Sequence, residues 1–237
     1  MWSIVILVSI FAVGFGLPVR FQGKFKNGLL EHVEGGIGAD LGGEYFTQKL
    51  DHFDRLSTTN FQQRYFVNET FWSGSESKAP VFRSVGGEGP PFDAGVVQIG
   101  GSVHCDDMMT LASELGALVF ALEHRYYGPS HPNPGEKDAF STENLRFLNT
   151  EQAQEDLAAF VHLMNGKYNL NQDNKWVTWG GSYPGMMAGL ARLRFPHLIH
   201  ASVSSSSPLE ASLEMPGYNI VVAESISNPD VGGSQAC

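Results

Sequence analysis

The stretch Trp176-Val177-Thr178-Trp179-Gly180-Gly181-Ser182-Tyr183-Pro184-Gly185 is the one most suited to chemistry, because an apolar, β-rich run stops there at two glycines, a serine and a turn. It reads as a strand, a tight elbow and a helix. A serine so placed projects at the carboxyl end of its strand while the following helix aims its positive N-terminal end at the same spot, which is how a nucleophilic hydroxyl is displayed. Gly180 and Gly181 let the bent backbone pass close to its neighbours without a clashing Cβ. The pattern G-x-S-x-G is met in part, since Pro184 stands where the second glycine is expected and Gly185 comes one residue late. Proline suits the first turn of a helix. On these ten residues alone, a Gly-Ser turn without chemistry fits equally well.

Acyl transfer by serine also needs donors for the oxyanion, a base for the hydroxyl proton and an acid group to orient that base. A second glycine-rich stretch supplies candidates for the first requirement. Gly86-Gly87-Glu88-Gly89-Pro90-Pro91 follows the strand Pro80–Val85, and its amides are unobstructed by side chains. Paired with the amide of Tyr183, one from this loop, Gly87 being the choice, completes an oxyanion hole of the α/β-hydrolase type. Two weak signals in the right order on the right elements support each other. The base and acid are harder to place. After Ser182 the histidines are His197 and His200, at the end of the nucleophile's own helix and the start of the next strand, and the aspartate is Asp230. Neither histidine can fold back onto the serine, and none follows the aspartate, whereas this fold presents its triad in the order Ser, Asp or Glu, His. The expectation is an N-terminal portion of a longer hydrolase. His124, within Glu123-His124-Arg125-Tyr126-Tyr127-Gly128 at a strand's carboxyl end, could act in catalysis, but a polar and aromatic cluster there is more often a hydrogen-bonded support.

The elements that must carry these residues form an alternating series. Tyr45–Phe53 and Phe61–Val67 read as antiparallel, aromatic strands at the sheet's edge. Asp106–Leu115 is a short helix with Met108, Met109, Leu111, Ala112 and Leu115 inward, stopped by Gly116. Ala117–Leu122 is a strand buried on both faces. Asn149 or Thr150 caps a helix running to Asn165-Gly166, with Ala153, Leu157, Phe160, Val161 and Met164 on one face and capping-box spacing from Asn149 to Gln152. Lys175–Trp179, a helix from about Pro184 to Phe195, and a strand from about Leu198 to Ser204 complete the run. Alternation from Val81 to Ser204 argues for a parallel-rich sheet with helices on both faces, an α/β class. From Leu209 the pattern loosens: Leu209, Leu213, Met215 and then Ile220, Val221 and Val222 could start another helix, and Ser227 to Gln235 is a polar loop.

The 237 residues, 42% hydrophobic and 17% charged, can build a globular core. A net charge of −10 disfavours nucleic acid as a partner. Residues 1–16 are uncharged and apolar and end in Gly14 and Gly16, as a secretory signal peptide does, although a basic residue near Met1 is missing. Residues 17–43 read as a flexible leader. No run of about 18 apolar residues suggests a membrane span. In the secretory route Asn68-Glu69-Thr70 is a glycosylation acceptor. Cys105 and Cys237 could pair with each other, or Cys237 could pair with a cysteine beyond the chain end. No metal or cofactor motif is present, so none is expected.

Six runs in fixed order carry a family resemblance: Gln48-Lys49-Leu50-Asp51-His52-Phe53, Gly86-Gly87-Glu88-Gly89, Glu123-His124-Arg125-Tyr126-Tyr127-Gly128, Thr150-Glu151-Gln152-Ala153, Gly180-Gly181-Ser182-Tyr183, and Phe195-Pro196-His197 leading to Ser205-Ser206-Ser207-Pro208. Together they resemble the serine peptidase family of lysosomal Pro-X carboxypeptidase, dipeptidyl-peptidase II and thymus-specific serine protease. The resemblance implies an α/β-hydrolase core over 44–208, interrupted by a helical insertion that begins in 209–237. It also implies a secreted or lysosomal serine exopeptidase with Ser182 as nucleophile, cleaving peptides after proline or another small penultimate residue, with a homodimer of the full-length form left open. Glu88 would lie near the scissile bond and meet a substrate's amino group. Gly232-Gly233-Ser234-Gln235-Ala236-Cys237 is most similar to the thymus-specific branch, where such a cysteine pairs later in the chain. An esterase or lipase on the same core, or a secreted binding fragment without activity, are the rival readings.

Overall fold

The computed structural model describes residues 42–102, 105–132 and 138–236. The expected signal peptide, nearly all of the leader and Cys237 lie outside them. Six strands form one sheet: β1 (Glu44–Lys49), β2 (Asn60–Asn68), β3 (Val81–Val85), β4 (Leu118–Leu122), β5 (Trp176–Gly181) and β6 (Ile199–Ser205). Their order across the sheet is β1-β2-β4-β3-β5-β6. The pairs β1·β2 and β2·β4 are antiparallel, while β4, β3, β5 and β6 run parallel. Crossovers longer than a hairpin account for the parallel part, as the alternating sequence predicts. Helices α1 (Asp106–Leu115), α2 (Thr150–Lys167) and α3 (Ser182–Arg194) make those crossovers.

Alternation along β4 divides the core into two layers. Leu118, Phe120 and Leu122 face Phe160, Val161 and Met164 of α2 and Met187, Ala188 and Ala191 of α3. Val119 and Ala121 face Met108, Met109 and Ala112 of α1. With both faces covered, a strand has no polar side and reads as a continuous apolar run. This is an α/β-hydrolase core, with helices on both faces of a mixed, parallel-rich sheet.

Several element ends differ from the sequence reading. Strand β1 stops at Lys49, because Asp51 turns the chain by accepting from the backbone N–H groups of Phe53 at 3.0 Å and Asp54 at 3.3 Å. Helix α1 buries Met108, Met109 and Ala112, but Leu115 is half exposed just before the left-handed Gly116. Asn149 caps α2 by accepting from Gln152 N at 2.9 Å, a contact worth about 1 kcal/mol. The reciprocal half of the capping box is absent, since Gln152 turns instead to His52 N and to the Asp51 carboxylate. The helix runs on to Lys167. Helix α3 starts at Ser182 rather than Pro184.

The described chain divides into two units, one ending at Ser207 and one starting at Pro208. The second is built on α4 (Pro216–Ser227), followed by a 3-10 turn at Pro229–Val231 inside the stretch expected to be loop. Ser234 N closes this unit on Ile226 O at 3.1 Å. Among the described residues no helix is long and apolar enough to cross a membrane.

Candidate active site

Strand β5 hands directly to α3 at Ser182, whose φ of 59° places a non-glycine residue in the left-handed region. That conformation costs an L-residue roughly 1–2 kcal/mol. The close packing underneath explains why it persists. A Cβ on Gly180 would lie 2.3 Å from Pro184 O, and one on Gly185 would lie 2.2 Å from Ser207 Oγ and 2.8 Å from Gly180 O. Gly185 therefore supplies the close approach usually given by the second glycine of the motif, displaced by one residue. Ser182 is exposed, and its hydroxyl has no hydrogen-bond partner among the described residues.

The glycine loop sits beside this elbow on the same side of the sheet. Gly86 donates its N–H to Leu122 O at 2.9 Å, continuing the β3·β4 pairing. The N–H of Gly87 has no partner among the described residues, which selects Gly87 over Gly86 as the free donor. Gly87 also touches the elbow, for a Cβ there would lie 2.3 Å from Pro184 Cγ. The proline that departs from the motif is thus matched by a glycine across from it. Ser182, Gly87 and Glu88 line one cleft of about 470 Å³, with Pro90, Pro91, Phe92 and Val96 as its apolar wall. Glu88 is exposed and also borders a second cleft of about 350 Å³ with His124, Tyr127 and Tyr183. Ser84 and Cys105, whose side chains meet at 3.3 Å, form part of the first cleft's lining, a place that sequence reasoning gave to neither.

The run Glu123-His124-Arg125-Tyr126-Tyr127-Gly128 is the framework of this site. Glu123 accepts from Phe92 N at 3.2 Å, from Arg64 Nη2 at 2.8 Å and from Ser130 Oγ at 2.6 Å, so it ties the cleft wall to β2. His124 is buried, bonded through Nδ1 to Arg125 O at 2.7 Å and through Nε2 to Tyr183 Oη at 2.9 Å. Burial pushes its pKa down, against the raising influence of the Arg125 carbonyl and the Asp156 carboxylate. Arg125 is fully buried and grips Asp156 of α2 with two bonds of 2.7 Å, while donating to Leu50 O and Phe147 O at 3.0 Å. His52 Nε2 completes the cluster at 2.8 Å from Asp156 Oδ1. The support role weighed for His124 is the one its contacts describe.

No imidazole hydrogen-bonds Ser182 among the described residues. His200 lies at the amino end of β6 while Ser182 follows the carboxyl end of the parallel, neighbouring β5, so the two sit at opposite ends of the strands. Asp230 belongs to the second unit. Asn68 Nδ2 donates to Val97 O at 2.6 Å, and its Oδ1 accepts from Thr70 N at 2.8 Å. Cys105 is a free, buried thiol.

A family model described as serine carboxypeptidase S28 matches residues 48–237. The chain belongs to the serine carboxypeptidase S28 family. Thymus-specific serine protease of Mus musculus is 38% identical over 90% of this S28 chain and 40% of its own length. Lysosomal Pro-X carboxypeptidase of Bos taurus is 32% identical over 70% of the chain and 31% of its own. The S28 chain thus spans about two-fifths or less of the length of these relatives. The family is one of serine peptidases.

Sequence reasoning missed the roles of His52, Arg64 and Asp156 in the S28 chain, three buried or half-buried polar residues distant from the elbow. Asp156 had one available signal, a charge on the face of α2 that also carries Ala153, Leu157 and Phe160. A charged side chain is seldom buried unless paired.

Proposed function

We propose that Ser182 is the nucleophile of a serine exopeptidase acting on peptides, of the prolyl-bond carboxypeptidase or dipeptidyl-peptidase class. The observation that carries this reading is the junction at Pro184: Gly87, whose amide has no partner among the described residues, packs on Pro184, and it lines one cleft with the strained, exposed Ser182. Ser182 Oγ would attack the carbonyl carbon of the scissile bond. The resulting oxyanion would accept from the N–H groups of Tyr183 and Gly87, and the C–N bond would break to release an amine and an acyl-enzyme. A base, which would take the Ser182 hydroxyl proton and pass it to the leaving amine, and the carboxylate that orients it are proposed to lie outside the described residues. The apolar wall of Pro90, Pro91, Phe92 and Val96 suits proline or another uncharged side chain beside the scissile bond. Glu88, at the rim, suits a substrate ammonium. The relatives' names and the apolar first residues support action in the secretory or lysosomal route.

The test is labelling of the full-length protein by a fluorophosphonate probe with the modified residue mapped, followed by prolyl peptides blocked at either end. Labelling at Ser182 and loss of cleavage on blocking one terminus are expected. Turnover of short-chain esters without peptides would favour the esterase reading, and absence of label would remove the nucleophile.

A further inference from the structure

Two amide donors can stabilise one oxyanion only if their spacing is fixed to a fraction of an ångström, and they come here from separate loops. The segment that follows β4 touches both. On one side, Gly86 lies so close to it that a Cβ would meet Leu122 O at 2.5 Å and His124 N at 2.7 Å. On the other side, the His124 ring meets the Tyr183 phenol through the 2.9 Å bond, with ring centroids 5.5 Å apart. The tautomer follows from the partners. A backbone carbonyl can only accept, so the contact of 2.7 Å from Nδ1 to Arg125 O puts the proton on Nδ1. Nε2 is then a bare acceptor, and the Tyr183 hydroxyl donates to it.

We propose that His124 is a positioning residue: by anchoring the Tyr183 side chain it fixes the first turn of α3 against the β3 loop, and so sets the separation of the Tyr183 and Gly87 amides. The groups around the imidazole are those of a clamp rather than of a proton relay. Tyr127 stacks edge-on at 5.4 Å, and Arg125, Asp156 and Glu88 act on it through space. Thr150, at the start of α2, supports the Tyr183 oxygen. Ser182 is not among its partners.

This inference rests on the serine-hydrolase reading, and its test separates the two. In the full-length protein, fluorophosphonate inactivation is measured to saturation for the wild type, Tyr183→Phe, His124→Phe and the double variant. Tyr183→Phe keeps the backbone amide and removes only the hydroxyl. It is expected to lower the limiting rate by roughly 10- to 100-fold with the half-saturating concentration unchanged. The double variant should be no slower than the slower single variant, because both changes break the same bond. A purely structural role would lower thermal stability without this split. Wild-type labelling speed in Tyr183→Phe, or fully additive losses, would overturn the clamp while leaving the nucleophile in place. If His124→Phe does not fold, Tyr183→Phe alone decides. An unlabelled wild type would overturn both readings.

Discussion

Replacing Gly87 with alanine tests the contact on which the proposed oxyanion hole turns. The added Cβ would stand 2.3 Å from Pro184 Cγ and 2.8 Å from Cδ. Carbon atoms settle at about 3.5–4.0 Å, so loop and elbow must separate by roughly 1 Å. The proline ring is closed onto its own backbone and cannot swing aside. Overpacking of this kind costs about 1–3 kcal/mol, which for a domain of this size corresponds to roughly 2–10 °C of thermal stability. The effect on rate should be larger than this suggests. Withdrawing one amide by about 1 Å is expected to slow acylation about 100-fold, equivalent to roughly 2.7 kcal/mol of barrier. The assay is the rate of fluorophosphonate labelling of the full-length protein. Pro184→Gly removes the ring atoms that collide, so Gly87→Ala in that background should label within about threefold of Pro184→Gly alone. Wild-type labelling by Gly87→Ala, or the same loss whether or not Pro184 is present, would refute the argument.

Ser182→Gly should abolish labelling yet raise thermal stability by about 0.5–1 kcal/mol, since glycine occupies a φ of 59° without strain; a lower melting temperature would deny that the elbow is strained. Asp156→Asn should destabilise the protein by roughly 3–5 kcal/mol in denaturant titration, because it leaves the buried Arg125 guanidinium without its countercharge. The folded state holds His124 below its ordinary pKa, so between the two values the unfolded chain binds more protons. Stability should therefore fall as pH drops below about 6.5, with a slope of at most about 1.4 kcal/mol per pH unit that His124→Gln removes. Expression through the secretory route should give a glycosidase-sensitive shift in gel mobility that Asn68→Gln abolishes. The glycan's amide nitrogen would keep one N–H for the Val97 carbonyl.

The sheet was legible because each of its strands leaves a local signature. Ala117–Leu122 is apolar on both faces, and β4 is fully buried; the glycines at 86 and 180 mark turns where backbone approaches backbone, and Gly87 one where it approaches the Pro184 ring. The departures have equally local causes that depend on distant partners. Nothing near Asp51 announces that Gln152, on α2, will complete its turn at 2.6 Å and end β1 early. Gln152 looks like the second half of a capping box until its side chain is seen to serve the far end of another strand. The helix start at Ser182 was hidden by Pro184, which signals a first turn but does not say which residue of that turn it occupies.

The least legible feature is the buried charge beneath the site. Arg64, Arg83 and Arg125 are each 2% exposed or less, and the carboxylates buried with them are Glu123 and Asp156. Glu123 takes Arg64 and Asp156 takes Arg125. Arg83 is left facing the Phe160 ring at 5.3 Å, with Nε and Nη1 unpaired among the described residues and its pKa pushed down by burial. Buried ion pairs seldom add net stability, and an apolar core of the same shape would hold as well or better. Their partners here suggest what they are for. Glu123 holds the cleft wall at Phe92, and Arg125 joins Asp156 of α2 to the carbonyls of Leu50 and Phe147. Directional bonds fix loops that apolar packing would let slide, and the loop fixed at Phe92 lines the cleft that Ser182 shares. The same six-residue run therefore reads as a polar and aromatic support at a strand end in the sequence and as the frame of the cleft wall in three dimensions.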